Sequence, residues 1–170
     1  MFLKFWENLK TNPSERSREQ LYNFLSHNGH PLTEDGCFIA YRKVKEDFTD
    51  YHTGKFMNNI GSVVTMPREE VNDDPSQTCS RGLHVACYKY ATEDFHPGQG
   101  RLLEVKINPR DVVAVPNDYN GTKMRVCKFE VMQECKGILN DGVYQKASDE
   151  GETYLVKKYG IIIGNTFELS

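Results

Sequence analysis

The chain has 170 residues, of which 38% are hydrophobic, 26% charged and 11% aromatic, and its formal net charge is -3. This length fits one domain, or one domain with a small appendage, and it allows a core that needs neither disulfides nor a structural metal. The apolar and aromatic content excludes a disordered chain, and the balanced charge argues against coating of nucleic acid by bulk electrostatics. We expect a globular domain.

The cysteines and the apolar segments indicate the cellular compartment. There are five cysteines, an odd number, at irregular spacing, and no signal-peptide pattern is present. This usage is typical of reduced thiols in the cytoplasm. The apolar N-terminus is interrupted by Lys4 and Glu7, and no apolar run, Ile161–Ile163 included, approaches membrane-spanning length. We expect a cytoplasmic protein without a membrane span.

Two helices are predicted in the first thirty residues. Apolar side chains recur at helical spacing from Phe2 to Leu9. A second helix is predicted after Asn12–Pro13, a cap residue followed by a proline at the first helical position, and Gly29 ends it. This pattern favours a helical hairpin packed on the main domain. The alternative is that its aromatic face binds a partner.

After residue 36 the sequence becomes a series of β-branched and aromatic runs bounded by Gly, Pro, Asn and Asp, which predicts strands. The predicted strands are 37–44, 61–66, 82–86, 102–107, 112–115 and 124–132, with one short helix at 88–95. Because helices do not alternate with strands, the fold class expected is α+β with a mostly antiparallel sheet. The expected organisation is a helical region at 1–30, a core at 36–136, and an extension packed on that core at 137–170.

The densest polar stretch is residues 51–56, Tyr-His-Thr-Gly-Lys-Phe, which follows a basic run that begins at Arg42. Backbone N–H groups at a glycine and a lysine ammonium can hold an anion together, although this spacing is not that of a P-loop. The stretch predicts either phosphate contact through His52 and Lys55 or an ordinary polar turn.

A second cluster, residues 78–85, places hydroxyl, thiol, guanidinium and imidazole groups where a strand begins. Cys79, His84 and Cys87 suggest zinc, but a fourth ligand is missing, so no metal is expected. A nucleophilic pair of Cys79 and His84 would require the two side chains to face each other. The alternative is that the small side chains are half-buried and cap the next element. The acidic run at 69–74 is expected to be a solvated loop.

If the basic side chains of these segments surround one cleft, the ligand is an anion, and a tyrosine is available to stack a base. The predicted ligand-binding residues are Tyr41, Arg42, His52, Lys55, Ser80, Arg81 and His84, with Tyr51 as an alternative stacking ring. No residue is predicted to be catalytic and no cofactor is expected. Nucleic-acid binding is not expected, because no helix-turn-helix pattern is present.

Several segments in the same order and spacing resemble the rapid-lysis B (rIIB-like) proteins of tailed bacteriophages. They are Phe5–Leu9, Asn12–Ser14, Pro31–Tyr41, His52–Phe56, Met66–Arg68, Asp73–Asp74, Thr78–Val85, Asn108–Val113 and Lys123–Cys127. The resemblance covers about residues 2–135 and corresponds to the C-terminal part of the longer members. It implies a phage early or accessory protein of the host cytoplasm that counteracts a host defence or exclusion system. It supplies no catalytic residues.

A weaker resemblance concerns ADP-ribosyltransferases. The order Arg42, Ser80 and Glu130 on early, middle and late strands is similar to the Arg, Ser, Glu order of those enzymes. In them Arg and Ser hold NAD, and the glutamate stabilises the reacting ribose. This chain departs from the pattern, with Thr-Cys-Ser at 78–80 in place of Ser-Thr-Ser and with Lys128 two residues before the glutamate. The resemblance leaves NAD-dependent transfer as one alternative.

The function favoured by these observations is binding of a small anionic, nucleotide-like ligand without turnover, as a countermeasure against host defence. A second class of function is a protein-binding module that blocks a host defence protein or pairs with the phage rapid-lysis A protein, with aromatic residues of the N-terminal helices as anchors. A homo-oligomer is left open.

Overall fold

The computed structural model describes residues 2–28, 30–77, 80–116 and 123–135, and within these ranges it leaves out the side chains of residues 2, 22–24 and 26–28. Two helices open the chain, α1 (Phe2–Lys10) and α2 (Glu15–Asn28). Both lie where the apolar spacing predicts them. The extension predicted at 137–170 lies outside the described residues.

The cap of α2 differs from the prediction. The hydroxyl of Ser14 accepts a hydrogen bond from the backbone N–H of Ser17 at 3.1 Å, which is the N-cap interaction. Asn12, predicted as the cap, is buried, and its Nδ2 donates to the carbonyl oxygens of Pro109 at 2.9 Å and Val112 at 2.8 Å. The asparagine therefore joins the helical region to the sheet.

In the described residues, seven strands form one sheet in which every neighbouring pair is antiparallel. The strands are β1 (Phe38–Val44), β2 (Val63–Thr65), β3 (Leu83–Ala86), β4 (Arg101–Ile107), β5 (Val112–Ala114), β6 (Lys123–Val126) and β7 (Lys128–Glu134). Their spatial order is β2-β7-β4-β1-β3-β6-β5. The α+β class with an antiparallel sheet is therefore confirmed.

Three short helical turns connect strands within the described part of the chain. Two are 3-10 turns, Arg68–Glu70 and Pro109–Asp111, and the third is a π-helical turn, Tyr90–Asp94. The π-turn lies inside the short helix predicted at 88–95. Such turns are uncommon and occur often beside functional sites.

The predicted strand at 124–132 is in fact two strands, which corrects the sequence reading. At Cys127 the backbone N–H donates to the carbonyl of Asp111, and the carbonyl accepts from Met66, each at 3.0 Å. The chain therefore leaves the side of β5 and starts pairing with β2 and β4 at this residue. The apolar alternation changes phase across this break, from Met124 and Val126 to Phe129 and Val131, and all four side chains lie in the main core.

The helices cover one face of the sheet and form the main core with it. Phe5 and Leu9 of α1 and Leu21 and Leu25 of α2 are almost completely buried. They contact strand residues such as Phe38, Ala40, Leu103, Val105, Met124, Phe129 and Val131. Each such side chain contributes about 1.5–3 kcal/mol by leaving water. Phe5, one of the aromatic residues of the N-terminal helices considered as anchors for a protein partner, is therefore a core residue.

The strands β1 and β3 diverge near the middle of the sheet. β1 pairs with β4 at seven positions, from Phe38 to Val44, but it pairs with β3 at one, Tyr41 with Ala86. Beyond that pair the two backbones separate instead of continuing the ladder. This divergence positions the candidate site.

Candidate functional site

A cleft of about 140 Å³ lies where β1 and β3 separate. Its walls come from residues 41–43 of β1, residues 82–86 around β3, the loop residues 50–53 with Phe56, the turn residues 90, 91 and 95, and Lys123 of β6. The two sequence clusters singled out for chemistry, 51–56 and 78–85, each contribute residues to it.

Arg42 fills the gap between the separating strands. Its Nη1 donates to the carbonyl oxygen of His84 at 2.7 Å, and its Nε donates to Oδ1 of Asn58 at 2.9 Å. The guanidinium also lies 5.0 Å from the centre of the Phe129 ring. Burial lowers the pKa of Arg42 to about 10, against a raising effect from Asp50, so the side chain stays charged at neutral pH. Arg42 therefore bridges β1 and the backbone of β3 at the cleft and gives the cleft positive charge.

Asp50 organises the loop on one side of the cleft. Its carboxylate accepts from the backbone N–H of Thr53 at 2.7 Å and of Phe56 at 2.9 Å, and from the Thr53 hydroxyl. Burial alone would raise the pKa of this carboxyl, but these hydrogen bonds and the charge of Arg42 hold it below its ordinary value. The ionised Asp50 consequently fixes the loop that carries His52.

Two histidines meet in the cleft. The rings of His52 and His84 lie edge to face, with centroids 6.3 Å apart. His52 is exposed at the rim, whereas His84 is half-buried. Burial lowers the pKa of His84 to about 3, and the positive charges of Arg42, Arg125 and Lys123 act in the same direction. The His84 imidazole is therefore neutral at neutral pH.

Aromatic rings line the opposite wall. Tyr51 stacks on His96 with centroids 3.9 Å apart and an interplanar angle of 9°, and it contacts Phe95 edge to face at 5.7 Å. Phe95 in turn stacks with Tyr90 at 6.3 Å. Such interlocked rings present a rigid apolar surface of the kind on which a planar ring can pack.

Lysines add positive charge at the cleft. Lys123 is buried, and its Nζ lies 5.5 Å from the centre of the Tyr90 ring, within cation–π range. Lys43 is half-buried and donates to the carbonyl oxygen of His96 at 3.2 Å, and burial lowers its pKa. The described lining residues include three cationic side chains, Lys43, Lys123 and Arg42, and one carboxylate, that of Asp50. The cleft therefore favours an anion.

Four of the seven predicted binding residues line this cleft: Tyr41, Arg42, His52 and His84. The other three lie outside it. Lys55 is exposed on the adjacent loop. The Ser80 hydroxyl accepts from Nδ2 of Asn72 at 2.6 Å, and Arg81, whose side chain is 68% exposed, forms an ion pair with Glu70 at 3.3 Å.

Several lining residues were not among the predicted binding residues, namely Lys43, Asp50, Phe56, Tyr90, Phe95 and Lys123. The sequence gives a partial indication of Lys123, because Lys123 and Arg125 alternate along one predicted strand. The neighbouring Arg125 has a different role. It is fully buried, and its guanidinium donates to the carbonyl oxygens of Asn72, Asp74 and Gln77 at 2.6–2.7 Å.

The residues of the ADP-ribosyltransferase-like pattern do not assemble into one site. Arg42 lies in the cleft, but Ser80 is bonded to Asn72 outside it. Glu130 is on β7, two strands away from β1 with β4 between them, where it pairs with Lys106 at 3.6 Å. This placement does not provide the joint contact with one NAD molecule that those enzymes need.

Cysteine and metal chemistry have no site in the described part of the chain. Its four cysteines are free, and burial raises the thiol pKa of Cys37 to about 11 and of Cys135 to about 12. Such thiols are poor nucleophiles at neutral pH. No group of three or more metal-ligating side chains occurs among the described residues. Cys79, half of the proposed nucleophilic pair, lies outside them.

Neither helix in the described residues combines the length and hydrophobicity needed to cross a bilayer.

The fold and the site thus define an α+β domain with an antiparallel sheet and a cation-lined cleft between two diverging strands. A family model described as "Bacteriophage T4 protein rIIB" matches residues 1–138 of the chain. The chain therefore belongs to the rIIB family of bacteriophage proteins, as its motifs suggest.

Protein rIIB of Enterobacteria phage T4 is 47% identical to this chain over 133 residues, which cover 78% of this chain and 42% of that protein. The chain thus spans less than half the length of this relative. No solved structure matches the chain.

Proposed function

We propose that this rIIB-family protein acts in the cytoplasm of the infected host by binding a small anionic, nucleotide-like ligand in the cleft between β1 and β3. The ligand is held without turnover, and its sequestration counteracts a host defence or exclusion system. The observation that carries the proposal is the composition of the cleft, in which cationic side chains and stacked aromatic rings face the same space.

The charge of the cleft supports an anion. Lys43 and Lys123 are held at its edge by contacts with other groups, so little side-chain entropy is lost when they meet a ligand. Charge-assisted hydrogen bonds from such groups are roughly twice as strong as neutral ones. Because burial also excludes part of the water, the attraction acts through a lower effective dielectric than at an exposed lysine such as Lys55.

The aromatic wall supports a ligand with a planar ring. Tyr90 and Phe95 already stack on each other, and Tyr51 is fixed by His96. A ring that packs against such a preformed surface gains contact area without ordering the side chains. An anionic group attached to a planar ring is the chemistry of a nucleotide.

The absence of turnover rests on the arrangement of reactive groups in the described cleft. Arg42 uses its donors on Asn58 and the His84 carbonyl, and Asp50 uses its oxygens on the loop backbone. Neither is placed as a general acid or base. Burial lowers the pKa of His84 to about 3, so its imidazole is a weak base, and we therefore propose binding without turnover.

The proposal is tested by ligand release and by titration. Protein purified from infected cells is denatured by heat, and released small molecules are identified by mass spectrometry. Separately, a panel of nucleotides is titrated into the purified protein by calorimetry. We expect Lys123→Gln to weaken binding by roughly tenfold, the loss of one charge-assisted contact, while the exposed control Lys55→Gln leaves it unchanged. No released molecule together with no binding across the panel would refute the proposal.

A further inference from the structure

His84 has a buried polar atom that the fold leaves unused. Its Nε2 is buried and makes no hydrogen bond with any residue in the described part of the chain. Buried polar atoms in folded proteins are nearly always paired, because an unpaired one loses its bonds to water without replacement. His84 also lines the cleft. A partner for Nε2 is therefore to be sought in the molecule that occupies the cleft.

The surroundings of His84 determine the kind of bond that Nε2 makes. The groups near it are the cations Arg42, Arg125 and Lys123 and the imidazole of His52, and all of them oppose a further positive charge. The imidazole is neutral, so it does not attract an anion by charge as the lysines do. A neutral imidazole nitrogen makes an ordinary directional hydrogen bond, with either a donor or an acceptor according to its tautomer.

The dimensions of the cleft limit what can reach this atom. Its volume of about 140 Å³ is close to that of a cavity that holds a single benzene ring. One ring of a ligand therefore fits inside, and the remainder of the ligand must extend from it. Tyr41 and Tyr90 line the same space and offer aromatic surface to such a ring.

We propose that Nε2 of His84 hydrogen-bonds the polar edge of a nucleobase seated in the cleft, and that His84 thereby selects among bases. This inference rests on the proposed function and assigns separate roles to the lysines and to His84. Lys43 and Lys123 attract the phosphate whatever the base, whereas His84 distinguishes one base edge from another. A nucleobase with the wrong group at this edge leaves Nε2 unpaired, which is the condition that discriminates most strongly between ligands.

The test compares base selectivity with phosphate binding. AMP, GMP, CMP and UMP are each titrated by calorimetry into the wild-type protein and into His84→Phe, which keeps a planar ring and removes both nitrogens. His84→Gln, which restores a hydrogen-bonding group, is the second variant, and Arg81→Gln, outside the cleft, is the control. Inorganic phosphate is titrated as the base-free probe, and thermal melting checks that each variant is folded.

We expect the wild-type protein and Arg81→Gln to prefer one nucleotide over the weakest by roughly tenfold or more, the effect of one buried hydrogen bond. In His84→Phe this ratio falls towards one, while the affinity for inorganic phosphate stays the same. His84→Gln retains part of the selectivity. If His84→Phe does not fold, the ratio of nucleotide affinities in His84→Gln is compared with the wild-type ratio instead.

Two results would overturn the inference while leaving the proposed function intact. The first is that the wild-type protein binds all four nucleotides with equal affinity. The second is that both His84 variants keep the wild-type ratio of affinities, which is expected if a water molecule hydrogen-bonds Nε2. If the wild-type protein binds none of the four nucleotides and no phosphate, the proposed function fails and the inference fails with it.

Discussion

Two glycines beside the aromatic wall provide a matched test of how tightly that wall is packed. Gly98 and Gly100 lie in one loop with nearly identical backbone angles, φ of 71° and 69°. A Cβ on Gly98 would meet nothing within 4 Å, whereas a Cβ on Gly100 would lie 2.5 Å from the Tyr51 hydroxyl oxygen and well inside contact distance of the Val44 carbonyl oxygen. Substitution by alanine therefore separates backbone strain from steric conflict.

The expected magnitudes follow from these contacts. Both substitutions place an alanine in the left-handed region, which costs about 1–2 kcal/mol. Gly100→Ala adds a steric conflict with the carbonyl oxygen of Val44. Val44 is paired with Arg101 in the β1–β4 ladder, so its backbone cannot move without disturbing that pair. Overpacking of this kind costs about 1–3 kcal/mol more. For a protein of this size, that difference corresponds to about 2–12 °C in Tm.

The assay is thermal unfolding followed by circular dichroism, with both variants measured beside the wild-type protein. We expect both to melt below the wild-type protein and Gly100→Ala to melt lower than Gly98→Ala. Adding Tyr51→Phe to Gly100→Ala removes the conflict with the hydroxyl but not the one with Val44, so the rescue is partial. Equal Tm values for the two single variants would refute the packing described around Tyr51.

Three further predictions concern stability. Arg125→Met is expected to lower the free energy of unfolding by about 3 kcal/mol or more, measured by urea denaturation, because three carbonyl oxygens lose a bond to a charged donor; an unchanged midpoint would contradict this. Asn12→Ala is expected to destabilise the protein more than Ser14→Ala, whose lost cap costs about 1 kcal/mol, since Asn12 bonds two carbonyl oxygens of the sheet region; the reverse order would contradict the role of Asn12 in joining the helices to the sheet. Burial lowers the pKa of His30 to about 4 and that of His84 to about 3, so both stay neutral when folded but take up a proton near pH 6.5 when unfolded. Stability therefore falls between pH 7 and pH 5 by about 2 kcal/mol for each histidine, and the drop should be smaller in His84→Phe; an unchanged drop in that variant would contradict the burial of His84.

Much of the fold follows from local patterns. The helices and strands appear where apolar residues recur with helical or alternating periods and where Gly, Pro, Asn and Asp interrupt them. The division at Cys127 is marked in the sequence only by a change of phase, from apolar residues at Met124 and Val126 to apolar residues at Phe129 and Val131, and pairing with Asp111 and Met66 fixes where it falls. Tertiary partners, rather than the residues of the strand, decide where β6 ends.

The candidate site was predictable only in part for a similar reason. Polar composition identifies the loop of His52 but does not tell which of its side chains face the cleft, so Lys55 was included although it is exposed. Lys123 reaches the cleft because its strand pairs with β3, where it lies opposite Ala86. The cleft itself arises from the separation of β1 and β3 after one pair, and pairing over such sequence distances is not encoded in a local motif.

The most direct test of the account is to map ligand contact on the protein in solution. The ¹⁵N-labelled chain is titrated with the nucleoside monophosphate that binds best in the calorimetric panel, and backbone amide shifts are followed by NMR. We expect saturable shifts at Tyr41, His84 and Lys123, at one common affinity, with little change at Lys55 and Arg81. Shifts confined to Lys55, Arg81 or the two N-terminal helices would contradict binding between β1 and β3.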